Sequence, residues 1–220
     1  MKTLRLSICL YAVFCFQTLF AQEEMGNGFL FTEFQQGTVV FKNGQRTSAN
    51  LNYNMLHKEM LFKDHESNIM ALANVTNIFV VIIEGRRFFP VSTSGTFYEE
   101  INAGNGSFFV QYKANVVSEG KEVGYGGRSQ TSAVTSLGHI KDGDRYVKLA
   151  SSEKFSLKRE YFYYIKTGNT FKTFYSAKTL GKLFKGQAAK IEQFAKDHSI
   201  NFSKIEDISK IVEYAYSIKI

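Results

Sequence analysis

Tryptophan is absent, proline occurs once, at Pro90, and cysteine occurs twice, at Cys9 and Cys15, both ahead of Phe16. Beyond that leader the chain therefore has no disulfide framework, no thiolate nucleophile and no cysteine metal site, so its stability must come from its core. A single proline and a hydrophobic share of 44%, with 21 Phe and 12 Tyr, describe a folded chain rather than a linker. Beyond the leader no apolar run has the length of a membrane span. Basic residues are scattered, and no basic run interleaved with aromatics marks a nucleic-acid interface. Several motifs are missing as well. There is no Gly-x-Ser-x-Gly elbow and no zinc-binding helix, and Gly120-Lys121 lacks the preceding glycine and following hydroxyl of a phosphate-binding loop.

What is present begins with a leader. Lys2 and Arg5 precede the apolar run Leu6 to Phe16, and Ala21 supplies a small residue before Gln22. This is the layout of a secretory signal peptide over residues 1–21, with the protein expected in the periplasm or cell envelope and not transmembrane once the signal is removed. The net charge of +7 falls to +5 without Lys2 and Arg5, leaving 25 basic against 20 acidic residues. That balance suits solubility and is compatible with an anionic lipid or polysaccharide surface. About 199 residues remain, enough to bury a core without staples.

The remainder reads as strands first and helices last. Val75 to Val91 places two β-branched and aromatic runs around Glu84-Gly85, the pattern of a buried hairpin. Before it, Phe29 to Phe34 and Thr38 to Phe41 are strand candidates, the second ending at the hairpin signal Asn43-Gly44. Ser48 to Met55 alternates Ala49, Leu51, Tyr53 and Met55 with Asn50, Asn52 and Asn54, which predicts a strand buried on one face. Glu59 to Lys63, Ile69 to Leu72, Thr96 to Ile101 and Ser107 to Val117 continue the meander. Residues 118–145 break the rhythm and read as a long flexible loop, either a solvated insertion or a flap presenting Lys121, Tyr125 and Arg128 to a ligand or partner. Tyr146 to Leu149, Lys154 to Leu157, and Tyr161 to Ile165 paired with Thr170 to Phe174 complete the strands. Three short amphipathic helices follow. The first is capped by Ser176, the second runs from Gln187 to His198, and the third opens on Ser203-Lys204-Ile205-Glu206, read as a capping box.

The expected fold is thus α+β: an antiparallel β-rich body, a meander, curved sheet or sandwich, over residues 22–174, with a three-helix segment over 175–220 docked on it. The helices are too short to stand alone.

Candidate chemistry is sparse. His57, Glu59, Asp64, His65 and Glu66 form the one cluster of ligand-type residues, but their spacing matches no metal template and they read as a polar loop rim. Arg86 and Arg87 are anion-binding candidates that otherwise read as an exposed turn. Glu99-Glu100 reads as a solvated strand end, although paired carboxylates of a glycosidase could hide among such residues. No catalytic residue, metal or cofactor is expected.

The leader ending Phe20-Ala21-Gln22, the stretches Phe41-Lys42-Asn43-Gly44 and Ala49 to Asn54, and Tyr163-Tyr164-Ile165 with Ile211-Val212-Glu213-Tyr214 resemble uncharacterised exported proteins of Bacteroidota bacteria. The resemblance implies an envelope location and carries no activity to any residue. The expected function is a non-enzymatic envelope protein that binds a partner or surface. The alternatives are carriage of an apolar, lipid-like ligand in a curved sheet and carboxylate-dependent glycoside hydrolysis.

Overall fold

The first regular strand begins at Gln35 rather than at Phe29, and one asparagine explains the difference. The computed structural model of the protein describes residues 28–91, 95–118, 121–123, 127–129, 139–142, 145–148 and 155–218, with side chains described outside 116–155. Strand β1, Gln35–Phe41, pairs with β2, Arg46–Asn54, placing Gln35 opposite Leu51. Upstream the chain still touches β2: Phe29 bridges Asn54, the Leu30 N–H donates to the Tyr53 carbonyl, and the Met55 N–H donates to the Gly28 carbonyl. Between these contacts it bulges, and the fully buried Asn52 amide fills the bulge. Asn52 Oδ1 accepts from the Phe31 N–H at 3.1 Å, while Nδ2 donates to the carbonyls of Phe31 and Glu33 at 2.9 and 3.1 Å. Residues 29–34 are therefore no strand, and the asparagine row of β2 is no uniformly solvated face. Asn52 and Asn54 are as buried as Leu51, Tyr53 and Met55, because an amide can satisfy the backbone groups a ladder gives up.

The meander continues through β3, Glu59–Lys63; β4, Ile69–Ala71; β5, Ile78–Ile83; β6, Arg86–Pro90; β7, Phe97–Ala103; and β8, Gly106–Ser118. The expected hairpin of β5 and β6 closes over Glu84 and Gly85, both at positive φ, as a two-residue turn between twisted strands requires. The segment expected as one loop over 118–145 carries β9, Lys121–Val123, paired with β10, Gly127–Ser129, and also β11, His139–Asp142. That is a correction. The backbone pairs locally there without the alternation that would reveal it. Strand β12, Arg145–Lys148, then links β11 to β4. The two short strands expected around Leu157 and Tyr163 are one, β13, Phe155–Thr167, because Lys158, Arg159 and Glu160 interrupt the apolar pattern but not the ladder with β8. Strand β14, Thr170–Phe174, returns across Gly168.

Among the described residues twelve strands form one antiparallel sheet in the order β11-β12-β4-β3-β2-β1-β5-β6-β7-β8-β13-β14, and β9-β10 is a separate ribbon. The sheet curls until its own strands meet. The Ala114 N–H of β8 donates to Met55 O beside β2 at 3.0 Å, and Glu59 of β3 bridges Thr96 just ahead of β7. Curling gives the sheet an inner and an outer face.

Three helices cover part of the inner face: α1, Ala177–Gly181; α2, Ala188–Asp197; and α3, Ile205–Ser217. Ser176 caps α1 as expected, in a reciprocal pair with Thr179. The third cap falls one residue later than the sequence signal. Lys204 occupies the N-cap without a side-chain bond, and Asp207 instead accepts from the Asn201 N–H at 3.1 Å. Ile208, Ile211, Val212 and Ala215 of α3 are fully buried and share one core with Phe108 and Val110 of β8 and Tyr163 of β13. The Tyr216 hydroxyl donates to the Ser107 carbonyl at 3.1 Å, and its ring lies where a Cβ on Gly106 would stand, so glycine there permits the docking. No described helix is long and apolar enough to cross a membrane.

Candidate functional site

Strand geometry separates the two arginines that the sequence places side by side. Successive side chains point to opposite faces, so Arg86 enters the curl beside Phe88 while Arg87 stands on the outside. Neither is a bare exposed turn. Arg86 Nε and Nη2 donate to Glu99 Oε1 and Oε2 at 2.7 and 2.6 Å, and Nη2 also reaches the Tyr112 hydroxyl at 3.1 Å. Its guanidinium lies over the rings of Phe31 and Phe88, at 4.9 and 5.5 Å from their centroids. Outside, Arg87 Nη1 pairs with Glu100 Oε2 at 2.8 Å. Both guanidinium groups thus hold their counter-ions within the fold.

Glu99 corrects the expectation of a solvated strand end, since it is 5% exposed and faces inward in one row with Phe97, Ile101 and Ala103. The Tyr112 hydroxyl donates to its Oε2 in a very short bond. Around this group the Tyr53 hydroxyl donates to the carbonyls of Tyr112 at 3.2 Å and Phe97 at 3.4 Å. Burial, and then the negative Glu99, hold the Tyr112 phenol far above its ordinary pKa. Burial does the same to Tyr53. Burial also works against the Arg86 charge, but the hydrogen bonds and field of Glu99 outweigh it and raise the guanidinium above its usual value. A carboxylate with both oxygens committed and two phenols held protonated suits a pin better than a proton shuttle. It ties β6, β7 and β8 to β2 where the sheet closes.

The outer face carries a different array. Phe79 meets Phe89 edge-on at 6.0 Å, Phe89 meets Phe109 at 5.9 Å, and Phe109 meets Phe171 at 4.9 Å. Phe171 meets Tyr98, which stacks on Tyr164 at 4.4 Å. Cations ride on these rings: Arg87 over Phe89, Lys166 over Phe171 and Lys113 over Phe162. Phe79 and Phe162 are 52% and 38% exposed. The helices bury their apolar residues on the inner face and leave this array on the other, although Phe109 within it is only 3% exposed.

The other sequence candidates lie elsewhere. Lys121 sits on β9 and Arg128 on β10, one register apart on the separate ribbon, and Tyr125 lies outside the described residues. Asp64 of the expected ligand cluster organises a turn, its Oδ1 accepting from the N–H groups of Glu66 and Asn68. Among the described residues no group of three His, Asp or Glu side chains could hold a metal ion. Sequence reading missed Glu99 and Tyr112 inside and the aromatic array outside. Two signals pointed to them: Glu99 falls in an apolar period-two row, and Tyr161-Phe162-Tyr163-Tyr164 puts rings on both faces of one strand. No protein-family model, curated protein or solved structure matches the chain.

Proposed function

We propose that the protein is an exported, non-enzymatic binding module of the cell envelope whose contact surface is the outer face of β5 to β8, β13 and β14. Export rests on the leader, with Lys2 and Arg5 before Leu6 to Phe16 and Ala21 at its end, and on the resemblance to exported Bacteroidota proteins. Binding rests on one observation: on the face opposite the helices an aromatic array runs from Phe79 through Phe89, Phe109 and Phe171 to Tyr98 and Tyr164, with Phe79 exposed at one end and Phe162 exposed separately on β13. Contiguous exposed apolar patches on soluble domains mark interaction sites more often than they serve the fold. The inner face supports the alternatives less well. Its Tyr53, Phe88, Phe97 and Phe108 are fully buried against neighbouring side chains, which disfavours a lipid-sized lumen, and Glu99 faces a guanidinium rather than a second carboxylate.

A photo-crosslinking residue at position 162 tests the reading in an envelope fraction. The expected result is adducts that disappear in a Phe79→Ser, Phe89→Ser variant of unchanged fold. Equal labelling from position 162 and from an exposed position off the face, such as Lys196, would remove the basis for this surface.

A further inference from the structure

The geometry points to an anionic lipid bilayer as the surface that the outer face contacts; this rests on that face being the binding surface. Three features select this partner. The first is charge. Beside the aromatic array stand Arg87, Lys113, Lys158 and Lys166, against Glu100 and Glu160 as the acidic residues in the same rows. Glu100 is taken by Arg87 at 2.8 Å, and Glu160 lies 3.8 and 3.9 Å from Lys113 and Lys158, shared between two cations. Lys166 has an aromatic ring, Phe171, beneath it at 5.8 Å. The patch thus keeps an excess of positive charge facing solvent, which complements phosphate headgroups.

The second feature is the kind of cation. Three of the four are lysines, which protein interfaces avoid and which headgroup-binding surfaces favour, because a lysine holds apolar stem against hydrocarbon and ammonium against phosphate. The third is ring presentation. The phenylalanines meet edge to face at 85°, 77° and 80°, and the stacked Tyr98 and Tyr164 cover one another, so few flat ring faces are left for a sugar to lie on. Exposed phenylalanines such as Phe79 and Phe162 can instead enter the apolar boundary beneath the headgroups. On this geometry the sheet lies with its outer face on the bilayer, the rings at headgroup depth and the lysines around them.

The test is cosedimentation of the chain from Gln22 onward, which contains every described residue, with vesicles of phosphatidylcholine alone or with phosphatidylglycerol added. The expected result is binding that needs phosphatidylglycerol and is lost on raising salt, since exposed charges are screened within about 3 Å at 1 M. The Lys113→Gln, Lys166→Gln variant should partition about 25-fold more weakly, from roughly fivefold per lysine. Phe79→Ser should weaken binding without changing its salt dependence. Binding to neither vesicle, or equally to both, overturns the lipid assignment, as does an unchanged affinity in the double lysine variant. Should vesicle binding fail while position 162 still crosslinks in the envelope fraction, or while an acidic polysaccharide column retains the protein, the outer face keeps its binding role and only the lipid is wrong. The salt dependence of the unaltered protein needs no variant to fold.

Discussion

Glu99 is the residue whose loss the fold should feel most directly. Its carboxylate accepts from Arg86 twice and from Tyr112, and it is nearly enclosed, whereas the Arg86 side chain stays about a third open to solvent. Removing one partner of a buried pair costs about 3–5 kcal/mol through the charge left behind, and the exposure of Arg86 places this case at the low end. Glu99→Gln is therefore expected to lower unfolding stability by about 3 kcal/mol in urea titrations, and a change below about 1 kcal/mol would show that the pin is idle. The buried phenols make a second prediction. In the unfolded chain a tyrosine loses its proton near pH 10, but in the folded chain Tyr163 does so at about 12 and Tyr53 and Tyr112 higher still. Above pH 10 the folded state holds protons that the unfolded state has lost. Stability is thus complete below pH 10 and declines as pH rises toward 12, by up to ~1.4 kcal/mol per pH unit for each phenol. Urea midpoints measured from pH 9 to 11.5 should fall along that slope and less steeply in Tyr112→Phe; a flat profile contradicts the burial of these hydroxyls.

At the level of elements, the break before β1 depends on Asn52. Its amide serves the N–H and carbonyl of Phe31 and the carbonyl of Glu33, and it lets Phe31 turn inward over Phe88 and Arg86. Asn52→Ala leaves those backbone groups enclosed without their partner, at about 1–3 kcal/mol per orphaned group. The expected outcome is a loss of about 3 kcal/mol, with the Phe31 amide exchanging far faster than that of Val81 in hydrogen-exchange spectra. Unchanged protection at Phe31 would mean that the bulge is held by something other than this side chain.

The molecule as a whole consists of a curled sheet and a helical segment that completes its core. Leu180, Ile191, Ile208 and Ile211 are fully buried in one cluster with Phe108, Tyr163 and Phe174 of the sheet. A chain ending at Phe174 should consequently expose that inner face, bind a hydrophobic dye and aggregate, while a fragment from Tyr175 onward should remain unfolded by circular dichroism. Two separately folded pieces would contradict the shared core. Phe79 is 52% exposed on the outer face, so Phe79→Ser should leave the thermal midpoint nearly unchanged.

The amino-acid order by itself determined the alternation of strands, the hairpins at Asn43-Gly44 and Glu84-Gly85, the Ser176 cap and the buried row of α3, because each follows from a local period or a turn residue read within one segment. Tertiary structure alone decided how far the sheet curls, which brings Met55 against Ala114, and therefore which of two adjacent arginines meets a carboxylate inside and which stands outside. In the sequence only its place in the period-two row of Phe97, Ile101 and Ala103 sets Glu99 apart from an exposed glutamate. Its burial depends on Arg86 arriving from the neighbouring strand and on Tyr112 closing over it, partners that each lie 13 positions away along the chain. The aromatic array has the same origin. Phe79, Phe89, Phe109 and Phe171 are scattered along the sequence, and only the strand order, with the helices committed to the opposite face, gathers them on one surface.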